Sequence, residues 1–290
     1  MYRAEMLKLR TTRATWIIAA VAVAGMLVAQ GFLVALPRVL DRLEGATGPA
    51  AGLPDELGPA FGALGDPSLP AFQRTVLDLL GSGGGGAGST GVTAVCLLLL
   101  GVLAVTTDFR TGGIVPTALV QPSRLRVLAG KAGATATVAV VIGIALAVVS
   151  AAGLLVAIAT TPDARLALSA GEVLGIWGRG IVVLVLLTWF GLGVGTLVRG
   201  QVAAIVTVGA LVLLEPLVQA AVALLSGGQS AAAAWLPLGL GALATSGQGA
   251  GALLGAAAPV GVAAALAGLC AWVALLLGAG ALTFRRRDLV

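Results

Sequence analysis

Long apolar runs separated by short polar segments dominate the chain. Six of these runs have the length and apolarity of transmembrane helices, for which about 20 residues suffice. They cover residues 15–36, 91–106, 132–159, 175–198, 202–225 and 260–283. The pattern predicts an all-α polytopic membrane protein whose six spans form a single membrane domain over residues 1–290.

The composition supports the same prediction. Hydrophobic residues make up 59% of the chain and charged residues 10%, and the mean hydropathy is +1.07. A soluble domain of this length would carry far more charge. The pI near 10.2 is typical of nucleic-acid-binding proteins, but the basic residues lie beside the apolar runs and are not interleaved with aromatic residues. We therefore expect contact with membrane lipid and no nucleic-acid partner.

Residues 1–14 precede the first apolar run and are basic. On a helix, Tyr2, Met6 and Leu9 would share one face, which is typical of a short amphipathic helix lying in the membrane interface. Its candidate polar residues are Glu5, Lys8 and Arg10. A solvated basic tail that only sets orientation explains the pattern equally well. The run that follows is too long for a cleaved signal peptide, so we expect a retained first span.

The distribution of Lys and Arg predicts the orientation. Twelve of them fall in the termini and in the loops of one side, at positions 3, 8, 10, 13, 110, 124, 126, 131, 199, 285, 286 and 287. Four lie in the segments of the other side, at positions 38, 42, 74 and 165, and Arg179 lies within the fourth span. The positive-inside rule then places both termini in the cytoplasm.

Two long segments are expected on the outer side. Residues 37–90 contain six acids and end in a glycine-rich run, which predicts an outer loop with a flexible linker. Residues 226–259 belong to a stretch without any charge that extends from Pro216 to Phe284. An ordinary outer loop would carry charge, so we expect short re-entrant or interfacial helices here, sheltered by protein before the last span.

Catalytic and cofactor chemistry has no candidate site in the sequence. The chain has no His, and Cys96 and Cys270 both fall within predicted spans, so we expect neither a metal site nor a disulfide framework. The segment GLGVGT at 191–196 lies within a span and is not a dinucleotide-binding loop. Its Gly191 and Gly195 are small residues four apart, as are Gly251 and Gly255, and such pairs allow helices to approach closely. No enzyme activity of the chain itself is expected.

Residues 107–131 form a polar segment between the second and third spans. In this segment the chain resembles the type-2 permease subunits of ATP-binding-cassette (ABC) exporters, which commonly have an acid and Gly-Thr after the second span, then Pro, a Ser-Arg pair and a Lys. The matching residues are Asp108, Arg110, Gly112, Pro122, Ser123, Arg124 and Lys131, with Asp108 where Glu is usual. Similar patterns recur at residues 5–16, 195–206, 213–217 and 284–289.

The resemblance implies a function and partners. In such exporters the loop after the second span forms a coupling helix that docks on a separate ATPase subunit. Two ATPase copies, which bind the ATP and Mg²⁺, would work with this chain and a second permease protomer, identical or a paralogue. The expected docking residues are Asp108, Arg110, Pro122, Ser123, Arg124, Arg126 and Lys131. The alternative is that these cations only orient the protein and bind anionic lipid.

Glu215 is the acid that we place within the hydrocarbon. It lies about thirteen residues into the fifth run, or roughly 20 Å along a helix, and intramembrane acids usually face a cavity or a partner. With Pro216 and Gln219 it is a candidate for the translocation path or gate. Alternatively it is protonated, bonded to a neighbouring backbone group, or bonded to Arg179.

We therefore expect a permease subunit of an ABC exporter in the cytoplasmic membrane of a bacterium. The apolar lining favours a hydrophobic substrate. One alternative is a proton-coupled secondary transporter that uses Glu215, and another is a membrane scaffold or sensor linked to an ABC ATPase.

Overall fold

The structure is a computed structural model that describes most of the chain. It covers residues 1–47, 66–81, 91–110, 123–161, 164–198, 200–226, 232–247 and 260–286. Within these ranges the chain is helical and contains no strand. The predicted all-α fold is confirmed.

Nine α-helices and one short 3₁₀ helix occur in the described ranges. In chain order they are α1 (Tyr2–Thr11), α2 (Arg13–Thr47), α3 (Pro70–Leu77), α4 (Val92–Arg110), α5 (Arg124–Ala159), α6 (Ala170–Val198), α7 (Gln201–Leu225), the 3₁₀ helix (Ala232–Trp235), α8 (Pro237–Ser246) and α9 (Val262–Arg286).

Six of these helices are long and apolar enough to cross a membrane: α2, α4, α5, α6, α7 and α9. They coincide with the six predicted apolar runs, so the protein is a multi-pass membrane protein. All six helices extend beyond the predicted bounds at one end or at both ends; α6, for example, begins at Ala170, where the prediction began at residue 175. α2 continues through Pro37 to Thr47, while α4 runs on to Arg110 and α5 begins at Arg124. Residues 107–110 and 124–131 of the predicted polar loop are therefore helical, and residues 111–122 lie outside the described ranges.

α6 is the central helix of the bundle. In α6, 67% of the most apolar 18-residue segment is buried inside the bundle, compared with 17% in α7. α6 packs against α4, α5 and α9, and glycines bring it close to α4. A Cβ atom at Gly191 would collide with the carbonyl oxygen of Leu98, and one at Gly101 would collide with that of Thr188. The predicted packing role of Gly191 is thus confirmed, while Gly251 and Gly255 lie outside the described residues.

Residues 66–81 are a packed element, although the sequence predicted only an outer loop here. Phe72, Val76, Leu77 and Leu79 are fully buried. Gln73 is buried as well, and its side-chain amide donates to the carbonyl oxygens of residues 67 and 165 and accepts from the N–H of residue 167. α3 has only eight residues, which is too short for hydrophobic periodicity to distinguish it from a loop.

The uncharged segment before the last span does contain short helices. The Trp235 carbonyl accepts a hydrogen bond from the Trp272 indole at 3.0 Å. Trp272 lies ten residues past the start of α9 at Val262, or about 15 Å along its axis. The 3₁₀ helix therefore lies beside the interior of α9 and not beside its first turn. From there α8 extends back toward the start of α9. The prediction of short helices before the last span is confirmed, and their position in the membrane stays a prediction.

The close contact between α4 and α6 is tested by Gly191→Ala. The added methyl group has no space beside the Leu98 carbonyl, and overpacking of this kind costs about 1–3 kcal/mol. The measurement is the thermal midpoint of the detergent-solubilised protein, followed by loss of the monodisperse chromatographic peak.

Gly178→Ala, on the same helix, is the matched control. A Cβ atom there meets nothing within 4 Å, so this variant should match the wild type or exceed its stability, by up to about 1 kcal/mol. Equal effects of the two substitutions would contradict the proposed tight α4–α6 contact.

Candidate functional site

A buried cluster of four charged side chains lies where α1, α4 and α5 meet. Lys131 is at its centre and is only 3% exposed. Its ammonium group donates to Glu5 Oε2 at 2.9 Å, to Asp108 Oδ2 at 2.5 Å and to the carbonyl oxygen of Ala104 at 3.0 Å. Lys8, which is half-exposed, lies 3.5 Å from both carboxylates. We call Glu5, Lys8, Asp108 and Lys131 the charge cluster.

The charges of this cluster balance, with two carboxylates against two ammonium groups. The Lys131 and Glu5 side chains are 4% and 5% exposed, and the Asp108 side chain is 13% exposed. Removing such groups from water costs several kcal/mol for each ion, and only close pairing and full hydrogen bonding offset that cost. Each of the three protons of the Lys131 ammonium has an acceptor, so the cluster meets this requirement.

The cluster connects three separate parts of the chain. Glu5 and Lys8 come from α1, Asp108 from the last turns of α4, and Lys131 from the third turn of α5. A second contact between α1 and α5 joins the Tyr2 hydroxyl to Thr137 Oγ1 at 2.8 Å. The helix expected at the N-terminus is therefore present and is fixed to α4 and α5, the helices on both sides of residues 111–122.

The face of α1 that contacts the bundle is polar. The buried residue of this helix is Glu5, whereas Tyr2, on the face predicted for the membrane interface, is 44% exposed. An ion pair therefore attaches α1 to the bundle. Its position in a membrane interface stays a prediction.

The docking residues expected from the sequence separate into buried and exposed groups. Lys131 is buried with its ammonium group fully bonded, so it is not available for the acidic groups of a partner, contrary to its expected role. Arg110 and Arg126 are exposed, as is Arg10 on α1. Ser123 immediately precedes α5, Arg124 is its first residue, and Pro122 lies outside the described residues.

Glu215 lies far from this cluster, beside the N-terminus of α8. It is 3% exposed. Its Oε1 accepts a hydrogen bond from the backbone N–H of Gly239 at 2.7 Å and another from the Gln219 side chain at 3.1 Å. Its Oε2 is buried without a hydrogen-bond partner. Of the alternatives drawn from the sequence, the structure thus supports a bond to a neighbouring backbone group.

Arg179 is not the partner of Glu215. Its Nε donates to the carbonyl oxygen of Thr245 at 3.3 Å, near the opposite end of α8. Pro216, which follows Glu215, lies within α7, and the helix continues past it to Leu225. The structure thus brings Glu215 and Gln219 together at α8, with Pro216 beside them in the helix.

Sequence reasoning missed two relationships in these sites. It assigned Glu5 and Lys131 to separate roles, because no local pattern links two residues that are 126 positions apart. It also missed Gly239, where a Cβ atom would lie 2.6 Å from Gln219 Nε2. The signal at Gly239 is the sequence Leu236-Pro237, a helix start whose flanking residue has no capping side chain.

Comparison with known proteins gives no match, either to a protein-family model or to a curated protein. Among the described residues, no group of three or more Cys, Asp or Glu side chains is placed to hold a metal ion.

The role of Lys131 is tested by Lys131→Met. This change leaves Glu5 and Asp108 without their central counter-charge, and removing one partner of a buried ion pair costs about 3–5 kcal/mol. We expect α1 to detach. The measurement is the rate of trypsin cleavage after Arg10 and Arg13 in detergent, together with the thermal midpoint.

Lys8→Met provides the matched control, because it removes the half-exposed ammonium group and should cost less than about 1 kcal/mol. The double variant Glu5→Gln/Lys131→Met removes one of the two uncompensated carboxylates and should recover part of the lost stability. The proposed role is wrong if trypsin cleaves the Lys131→Met variant no faster than the Lys8→Met variant.

Proposed function

We propose that this protein is the permease subunit of an ABC exporter in the cytoplasmic membrane of a bacterium. In this proposal two permease protomers form the path, and two copies of a separate ATPase subunit bind ATP and Mg²⁺. The substrate is hydrophobic, since the spans offer few polar groups. The resemblance of residues 107–131 to such permeases motivates the proposal.

The charge cluster is the observation that supports it best. A subunit driven by an external ATPase needs a rigid connection between the docking loop and its spans. Here Lys131 joins the end of α4, the start of α5 and the N-terminal α1 through contacts of 3.0 Å or less. A force applied to residues 111–122 would therefore reach α1 together with both spans, since all three share one buried ammonium group.

Exposed cations surround this connection. Arg110 ends α4, Arg126 lies in the first turn of α5, and Arg10 lies in the last turn of α1, and all three are exposed. Leu125 beside Arg126 is 48% exposed. Exposed arginines with an apolar side chain among them are typical of the anchor residues of protein interfaces, and their charge suits an acidic groove on the partner.

The work is then divided between the subunits. ATP-driven closure of the ATPases pushes on residues 111–122 and on α1, and the spans switch the path from inward to outward access. Such a switch needs a bistable arrangement of helices. α7 is the span with the least burial, at 17% of its apolar window, so its apolar surface is available to lipid or to the second protomer.

The test is a pull-down of the tagged protein from mild detergent with its native partners, comparing wild type with Arg124→Glu/Arg126→Glu. We expect the wild type to recover an ATPase subunit in stoichiometric amount. The charge reversal should lower the amount of ATPase recovered by at least about tenfold, because close charge pairs at interfaces contribute more than about 1.4 kcal/mol.

The matched control is Arg38→Glu/Arg165→Glu, which reverses two exposed charges on the segments assigned to the other side. This variant should retain the ATPase. A preparation without any ATPase in the wild type would contradict the proposal, and release by the control variant as well would contradict the assigned docking face.

One observation favours a second function, the proton-coupled transporter. Glu215 Oε2 is buried within a span without a hydrogen-bond partner, as a proton-binding group would be. Transport by this chain alone in liposomes, driven by a pH gradient and abolished by Glu215→Gln, would favour it over the exporter.

A further inference from the structure

Both ends of the short helix α8 contact charged side chains of neighbouring spans. The helix itself carries no charged residue. Glu215 of α7 lies at its N-terminus and Arg179 of α6 lies near its C-terminus. The sequence places each of these charges within an apolar run, where an ionised group is costly.

The N-terminal contact replaces a missing cap. The first N–H groups of a helix have no intrahelical partner. In α8, Pro237 at the first position has no N–H, and the preceding Leu236 makes no side-chain capping bond. The carboxylate of Glu215 therefore supplies the acceptor for the Gly239 N–H, at 2.7 Å.

The absence of a side chain at Gly239 permits this approach. A Cβ atom there would meet the Gln219 side chain, which itself donates to Glu215 Oε1. Glycine thus lets the polar side chains of α7 reach the start of α8.

A matching contact occurs at the C-terminus of α8. The last carbonyl groups of a helix also lack intrahelical partners. Thr245 is in the last turn of α8, and Gly247, the residue that follows the helix, is left-handed with φ of 70°. The Arg179 Nε donates to the Thr245 carbonyl at 3.3 Å. One of the last carbonyls therefore faces a guanidinium group.

The signs of the two charges match the helix dipole. The N-terminus of a helix is equivalent to a partial positive charge and its C-terminus to a partial negative one. Glu215 lies at the positive end and Arg179 at the negative end. The two charged residues make no ion pair with each other; the groups they contact on α8 are separated by about 9 Å of helix.

We propose that Glu215 and Arg179 are positioning residues that fix α8 between α6 and α7 through opposite ends of its dipole. Each charge acts on its own end of the helix, Glu215 on the Gly239 N–H and Arg179 on the Thr245 carbonyl. α8 buries Leu240, Leu243 and Ala244 in the core shared with α6 and α9, so the clamp holds α8 in the part of the bundle remote from the charge cluster. This inference does not depend on the proposed transport function.

The experiment is hydrogen–deuterium exchange of the full-length protein in detergent, read on peptides that cover residues 237–246. Glu215→Gln keeps an acceptor for the Gly239 N–H but removes the charge, and Arg179→Gln removes the other charge. Each should raise local exchange by about three- to tenfold, the size expected for a partly buried charge at a helix end. Peptides from residues 183–194 of α6 should stay unchanged.

The double variant Glu215→Gln/Arg179→Gln separates the clamp from a direct ion pair. Charges acting at opposite ends of α8 make independent contributions, so the fold-changes should multiply. In a direct pair each single substitution leaves the other charge uncompensated, and the double variant would exchange less than the worse single variant. That result would overturn the proposal.

Two further variants keep the inference falsifiable if a Gln variant unfolds. Arg179→Lys retains a cation and should restore protection of residues 237–246 to near the wild-type level. Arg165→Gln removes an exposed cation that does not contact α8, and it should leave exchange there unchanged. Loss of protection in Arg179→Lys equal to that in Arg179→Gln would mean that the charge at the C-terminus of α8 does not position it.

Discussion

A polar group that is buried in a membrane bundle must find its partner within the chain. Water is absent from the hydrocarbon, so each unpaired amide, carbonyl or ion costs several kcal/mol. In the described part of this protein, a few polar side chains meet that constraint by joining segments that are distant in sequence, whereas one oxygen each of Gln30, Gln201 and Glu215 is buried without a hydrogen-bond partner. Lys131 joins α1, α4 and α5. Gln73 joins α3 to the segment that precedes α6.

The same constraint explains why residues 66–81 are ordered against the spans. The carbonyl oxygens of Val76, Leu79 and Leu80 accept hydrogen bonds from side chains of two spans, namely Gln30 on α2 and Thr93 on α4. Fully buried apolar side chains surround these bonds. The segment therefore belongs to the bundle and adds a layer at one end of it, opposite the charge cluster.

The two ends of the bundle are built on different chemistry. At one end, complete ions pair with each other, and exposed arginines lie around them. At the other, α8 has no ions of its own, and Glu215 and Arg179 face its terminal N–H and C=O groups. The first arrangement connects α1, α4 and α5 to one another. The second holds a short helix among three spans.

The six spans, the all-α fold and the presence of short helices before the last span could be predicted from the sequence. Hydrophobicity and length are properties of single segments, and the sequence records them directly. The exposed positions of Arg110 and Arg126 also agree with it, because charges that flank a span normally remain accessible. The proposed docking function of these residues comes from the resemblance and stays a proposal.

The tertiary structure decided which groups are partners. Glu5 and Lys131 are 126 residues apart, and Glu215 and Gly239 are 24 apart, so no local pattern connects them. Lys131 was predicted to be a docking cation for the same reason. Its burial depends on contact with α1, and the sequence around Lys131 does not record that contact. The packing of α3 likewise depends on surfaces that α2, α5 and α6 create together. The sequence by itself determined the segments that enter the membrane, and their assembly determined which charges are shared inside it.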